Sequence, residues 1–177
     1  SLVSIGVFSQ SDYDAFLSGI STVSGRLAHD RSSMGKDDFL LKYGHLRPGT
    51  YDILSPRYDK SPELYFDWEN PPSPPEPSSP FSVTLPQMRE VTKLLESHKL
   101  EPNPVGLFDF LENGIELREY AKFQFTRNLS DILELIADFG EKHEIAREDM
   151  AFCDLNVFKE LYISSSNPRD ELLSSIR

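Results

Sequence analysis

Ile115-Glu-Leu-Arg-Glu-Tyr-Ala-Lys-Phe-Gln-Phe-Thr-Arg-Asn-Leu-Ser-Asp-Ile-Leu-Glu-Leu-Ile-Ala-Asp-Phe139 runs without a proline or glycine. Leu117, Ala121, Phe125, Leu129, Ile132, Ile136 and Phe139 recur in it at steps of three and four, so they share one face of an α-helix. This stretch, about 115–139, predicts one long helix of about 25 residues, near 38 Å at about 1.5 Å per residue. Gly140 is a natural stop on its C-terminal side. On the N-terminal side, Asn113-Gly114 predicts a kink or short break, with a separate helical piece over Leu107 to Leu111 beyond it.

Working outward, the same periodicity dominates. Thr84-x-x-Gln87 is a capping box with Pro86 in the first turn, and it opens a helix to about Lys99 through Met88, Val91, Leu94 and Leu95. Pro102 and Pro104 break the chain after it. Nearer the start, Ser9 or Ser11 can cap a helix whose apolar face is Tyr13, Phe16, Leu17, Ile20, Val23 and Leu27. A short helix is expected from about Lys36 to Tyr43, ended by Gly44. Towards the end, Arg147-Glu-Asp-Met150 starts a short turn, and Asp154 can cap a helix through Phe158, Leu161 and Tyr162. Asn167-Pro168 opens a last helix expected to run off at Arg177. No alternating strand pattern of any length competes, apart from a weak hairpin option around residues 50–66. The fold class is therefore all-α, an irregular helical domain with one long helix and a Pro-rich linker.

That linker is Glu69-Asn-Pro-Pro-Ser-Pro-Pro-Glu-Pro-Ser-Ser-Pro80, the one low-complexity stretch, expected to be extended. It suggests an N-terminal helical lobe over 1–68, a linker over 69–85 and a C-terminal helical lobe over 86–177. Leu2, Val3 and Ile5 followed by Gly6 read as the last turn of a helix and its glycine stop, which suggests a piece of a longer protein.

The net charge of -11 excludes phosphate-backbone recognition as the main task, because nucleic-acid binding needs clustered Lys and Arg. It equally disfavours an anionic membrane surface. No apolar run approaches the roughly 20 residues of a membrane span, and no basic-flanked leader opens the chain. Cys153 is the single cysteine, which suits a reducing, cytoplasmic setting and reads as a structural thiol rather than a nucleophile. His29, His45, His98 and His143 show no metal-ligand spacing, so no metal site is expected. Phosphate-cradling glycine loops and the nucleophile-elbow pattern are absent too. Glu116 with Glu119, and Asp131 with Glu134, sit three apart on helices and read as solvated faces. No catalytic residue is assigned.

Two constellations remain. Lys42-Tyr-Gly-His45-Leu-Arg47-Pro-Gly49-Thr-Tyr51-Asp52 places a histidine, an arginine, a tyrosine and an acid in one turn, shaped by Pro48 and by Gly49 at a positive-φ position. Such a turn can present His45, Arg47, Tyr51 and Asp52 to a ligand, or it can be a buried corner in which Arg47 or His45 pairs with Asp52. The second, Arg118-Glu-Tyr120-Ala-Lys122-Phe-Gln-Phe125-Thr-Arg127, carries Arg118 and Lys122 on adjacent turns. It either meets an anion or pairs with Glu116, Glu119 and Asp131.

Tyr43-Gly-His-Leu-Arg-Pro-Gly-Thr-Tyr-Asp-Ile-Leu-Ser-Pro-Arg-Tyr58 resembles a stretch of phosphoenolpyruvate-utilizing enzymes of the phosphoenolpyruvate synthase-like and rifampin phosphotransferase-like kind. Arg118 to Asp131 and Arg147-Glu-Asp-Met150 are similar to segments that follow it there. The resemblance implies a helical middle segment between an ATP-binding domain and a phosphohistidine domain, with ATP and Mg²⁺ bound outside this chain. It implies a spacing role in a pyruvate, water dikinase-like phosphotransferase, and an acceptor pocket that His45, Arg47, Tyr51, Asp52, Arg118 and Lys122 line. The motif of the phosphorylated histidine is not present, so His45 does not take that role. Thr50 stands where antibiotic-modifying members have Glu. The competing readings are a non-catalytic helical interaction module, docking through the Pro-rich segment or an apolar helix face, and a self-contained enzyme.

Overall fold

The computed structural model describes residues 2–73, 81–163 and 165–176, and most of the Pro-rich stretch read as an extended linker lies outside them. Among the described residues the architecture is all-α, and the only β pairing is one isolated antiparallel bridge, Cys153 with Ile176. The region 50–66 forms turns and a short helix, so the hairpin option fails there.

Contacts group the chain into two compact units that each draw on separated stretches. One comprises Ser1–Ser33 and Pro72–Phe123, the other Met34–Pro71 and Gln124–Arg177. The sequence alone suggests a single division, at the Pro-rich stretch. The grouping instead joins the first 33 residues to those after that stretch.

The first unit holds α1 (Gln10–Gly19), α2 (Val23–Ser33) and α5 (Leu85–Ser97), together with residues 104–123 of α6 (Pro104–Lys142). Ser9 and Asp12 form a capping box at α1, the side chain of each serving a backbone or hydroxyl donor of the other. Thr84 and Gln87 do the same at α5, where the sequence placed them. The single helix expected through Leu27 is two helices. Ile20 is extended at φ -77, ψ 131, and the Thr22 hydroxyl accepts from the Gly25 amide to start α2. The orphan amide of Ser21 donates to Glu116 Oε1 at 3.1 Å, so the break is satisfied by a residue ninety-five positions away. Phe8, Val91 and Leu95 are the buried core. Phe16, Phe81 and Phe108 close on it with ring centroids 5.2 to 6.0 Å apart, in edge-on and tilted arrangements.

The second unit holds α3 (Lys36–Tyr43), α4 (Pro62–Tyr65), residues 124–142 of α6, α7 (Arg147–Met150), α8 (Val157–Ile163) and α9 (Pro168–Ser175). Its core is Ile53, Ile136, Ala137, Ile145, Met150, Val157 and Leu172. A second cluster of rings joins Phe39, Tyr43, Tyr58, Tyr65, Phe66 and Trp68. The Asn167 side chain caps α9, which stops at Ser175 as Ile176 turns extended to reach Cys153.

α6 is longer than the sequence predicts and continuous through Asn113-Gly114. A lone interior glycine costs only about 1 kcal/mol relative to alanine. The Asn113 side chain donates to the Asp109 carbonyl instead of interrupting the ladder. At the start, Asn103 Oδ1 accepts from the Gly106 amide and Pro104 occupies the first turn, where its missing N–H goes unneeded.

Two helices end on non-glycine residues in the left-handed region. Lys99 (φ 58) follows α5, where the Leu100 amide reaches the Leu95 carbonyl. Glu144 (φ 59) follows α6, where the Ile145 amide reaches the Gly140 carbonyl. Left-handed backbone costs a residue with a Cβ about 1 kcal/mol or more. Lys99→Gly and Glu144→Gly should therefore each raise the thermal midpoint, by several degrees together, read by circular dichroism. A lowered midpoint for both would contradict the cap geometry.

Candidate functional site

Tyr43 to Asp59 begins as the end of α3 and folds back on itself. The Leu46 amide donates to the Tyr43 carbonyl, the Tyr58 amide to the Leu46 carbonyl and the Asp59 amide to the Gly44 carbonyl. Gly44 is right-handed, so its glycine is not needed for backbone freedom. It is needed for space, since a Cβ there would press on the Leu40 carbonyl and sit 2.8 Å from Asp59 Cβ. Gly49 has φ +57, the positive value expected of it, and the Asp52 amide closes the turn on its carbonyl at 2.6 Å.

Arg47 lies at the centre of this corner with a side chain only 1% exposed. Its Nε and Nη2 donate to Ser130 Oγ at 3.2 and 3.0 Å. Nη2 also reaches the Ser130 carbonyl and, at 2.7 Å, Glu134 Oε1. Nη1 donates to the carbonyls of Asp52 and Ser55 at 3.3 and 3.2 Å. A guanidinium has five N–H groups, and protein acceptors engage all of them. Arg47 does not pair with the Asp52 carboxylate. That carboxylate instead accepts from the Leu54 amide and the Ser55 hydroxyl, capping the turn from outside. The Ser55 hydroxyl, then the Leu54 amide, hold Asp52 below the ordinary aspartate range. His45 is buried at 5% exposure, while Tyr51 stands out at 73%.

Glu134 anchors the corner from α6. Besides Arg47 it receives Arg147, whose Nη2 and Nη1 reach its two oxygens at 2.7 and 3.3 Å and whose Nε donates to the Ile53 carbonyl at 2.6 Å. One carboxylate thus ties the corner, α6 and α7 together. Burial pulls its pKa up, but hydrogen bonds from Arg147 and Arg47, with their charges, outweigh burial and leave it below the ordinary glutamate range. The carboxylates read as solvated faces are therefore engaged. Asp131 takes Arg57, Glu134 takes two arginines, and Glu116 takes the Ser21 amide.

Arg118 and Lys122 belong to the first unit and are exposed, with Arg118 only 3.9 Å from its neighbour Glu119. The six residues singled out from the sequence thus divide, with His45, Arg47, Tyr51 and Asp52 gathered in one corner of the second unit. Ser130, Glu134 and Arg147 complete the corner, although the sequence suggests Glu134 only as a solvated carboxylate and marks neither Ser130 nor Arg147 as a site residue. A usable signal existed for two of them, since Thr126, Ser130 and Glu134 repeat every four residues and form a polar line on a helix otherwise judged by its apolar one. The first unit has a cavity of about 320 Å³ among Leu2, Val3, Phe8, Phe16, Phe81 and Phe108, almost wholly apolar. Among the described residues no group of three or more His, Cys, Asp or Glu is placed to hold a metal ion, and no helix is long and apolar enough to cross a membrane. Comparison of the chain with family profiles, curated proteins and solved structures finds no match.

Removing one partner of a buried ion pair leaves a charge unpaired at about 3–5 kcal/mol. Glu134→Ala should therefore lower stability by that order in chemical denaturation, and Arg47→Lys should also destabilise, since one ammonium cannot reproduce the fork. Glu134→Gln gives the pH signature. The folded protein keeps Glu134 ionised to lower pH than the unfolded chain does, so its stabilisation is complete above the unfolded value of about 4.3. It declines as pH falls below that value and is lost once pH passes the lowered folded pKa. Denaturation at a series of pH values should show this component in the parent protein and not in Glu134→Gln.

Proposed function

We propose that this chain is the helical middle segment of a phosphoenolpyruvate synthase-like phosphotransferase of the cytoplasm, a part that positions rather than reacts. The parent protein would carry ATP and Mg²⁺ on a neighbouring domain and pass the phosphoryl group through a histidine on another. The supporting sequence feature is the resemblance of Tyr43 to Tyr58. The supporting structural observation is that this same segment is a preformed, hydrogen-bonded corner pinned by Arg47 to Ser130 and Glu134. Phosphoryl transfer depends on positioning and charge neutralisation, and a corner of this kind gives a fixed platform. With Arg47 and His45 interior, contact with an acceptor falls to the exposed groups of the corner itself, first Tyr51 and then Asp52. Arg47 and His45 act through the shape of the corner.

A second reading, a non-catalytic interaction module, draws on one observation. Phe110, Leu117 and Phe125 of α6 are 73%, 65% and 56% exposed, although two of them belong to the clearest apolar stripe in the chain. The occupant on this reading is a neighbouring domain of the same protein.

The experiment is to express the chain with the flanking sequence of its gene, supply ATP labelled at the β-phosphate with Mg²⁺, and assay acid-labile phosphohistidine. Label is expected in the extended protein and none in the 177-residue chain. No label in the extended protein would end the phosphotransferase reading and leave the interaction module, for which loss of neighbouring-domain binding in Leu117→Asp is the measurement. In an active parent, Tyr51→Ala should raise KM for the acceptor several-fold with an unchanged melting midpoint. An unchanged KM would remove Tyr51 from the acceptor site.

A further inference from the structure

We propose that the second unit binds the phosphate of an organic phosphomonoester in a cleft lined by Arg57, Lys60, Ser61 and Arg147. The inference stands independently of the phosphotransferase reading and uses none of its candidate acceptor residues. The cleft has a volume of about 290 Å³, and Leu54, Pro56 and Glu134 complete its lining. That volume is just below the range of drug-sized ligand sites, roughly 300–1,000 Å³, and suits a small ligand.

Three cations line one cleft in a chain with 18 Lys and Arg against 29 Asp and Glu. Two of them are held in place. Arg57 is fixed by Asp59 through Nε at 3.0 Å and Nη2 at 2.7 Å, and by Asp131 through Nη1. Arg147 is fixed by Glu134 and the Ile53 carbonyl. These bonds engage three of the five N–H groups of each guanidinium, leaving two on each, held without further ordering. Lys60 lies on the same turn, exposed, its Nζ without a hydrogen bond or ion pair among the described residues. The Ser61 hydroxyl adds a neutral donor.

Carboxylates also face this cleft. Glu134 lines it, but Arg47 and Arg147 both contact its Oε1 at 2.7 Å, so its charge is more than matched locally. Asp59 and Asp131 are on Arg57, and Asp138 and Glu141 act on Arg147 from farther along α6 without lining the cleft. What the cleft presents is several charge-assisted donors from three separate side chains. A tetrahedral dianion with three terminal oxygens fits that arrangement better than a planar, singly charged carboxylate. Leu54 and Pro56 supply an apolar wall for the organic part, which is why an ester rather than inorganic phosphate is the expected ligand.

The test is titration of the 177-residue chain with phenyl phosphate at constant ionic strength, followed by amide chemical shifts. Saturable binding is expected, with the largest shifts over residues 54–61 and at Arg147. Lys60→Glu should weaken it about tenfold or more while leaving the melting midpoint unchanged, since among the described residues the Lys60 side chain makes no hydrogen bond or ion pair and only its backbone amide, kept in the variant, bonds the Arg57 carbonyl. Lys93→Glu on α5 makes the same change in net charge and should bind as the parent does. Absence of saturable binding, equal binding in Lys60→Glu, equal weakening in Lys93→Glu, or benzoate binding as tightly as phenyl phosphate would each overturn the proposal.

Discussion

The second unit depends on one buried guanidinium. The Arg47 side chain is shut away from water, so every one of its N–H groups must find an acceptor inside the protein. Meeting that demand places Ser130 and Glu134 of α6 against the turn, and it brings the carbonyls of Asp52 and Ser55 inward. Glu134, mostly shielded and facing two arginines, then recruits Arg147 and so sets where the chain goes after α6 ends. Breaking either charge exposes the other, which makes the corner a single cooperative feature.

Around Ser130 and Glu134 the same demand favours a polar, small-residue face of α6 as the interior one. Thr126, Ser130, Ile136, Ala137 and Gly140 are its buried residues, while Leu117, Phe125 and Ile132 of the apolar stripe are more than half exposed. Periodicity finds a helix but not the side that faces inward when a buried arginine requires hydroxyl and carboxylate partners. Small residues serve that face well, because they let α7 and the corner approach closely.

Local chemistry was legible where partners lie within a turn of one another. The Thr84–Gln87 capping box, a serine cap at α1, the span of α3, the start of α9 at Asn167 and the positive φ of Gly49 follow from residues three or fewer positions apart. Reading failed where a distant residue intervened. The helix expected through Leu27 breaks at Ile20, where the Ser21 amide this leaves finds its acceptor on the distant Glu116. The helix expected to break at Gly114 continues, since a glycine penalty near 1 kcal/mol is smaller than the cost of ending and recapping a helix. At the candidate site, the sequence found the corner and four of its polar residues, but not which were interior. His45 and Arg47 look as available as Tyr51 until burial is known.

By itself, the sequence determined the all-α class, the starts of α1, α3, α5 and α9, the turn at Gly44 to Asp52 and the acidic balance, because each depends on local backbone chemistry or on a count of charges. Only the tertiary structure decided that Arg47 is a spent, interior charge and that Glu134 and Arg147 lock it in place. It also decided that Arg57, Lys60 and Arg147 face one cleft. Those outcomes rest on pairings between residues up to about ninety positions apart. A charge's role depends on its desolvation and its partners, and neither is written into the identity of its neighbours along the chain.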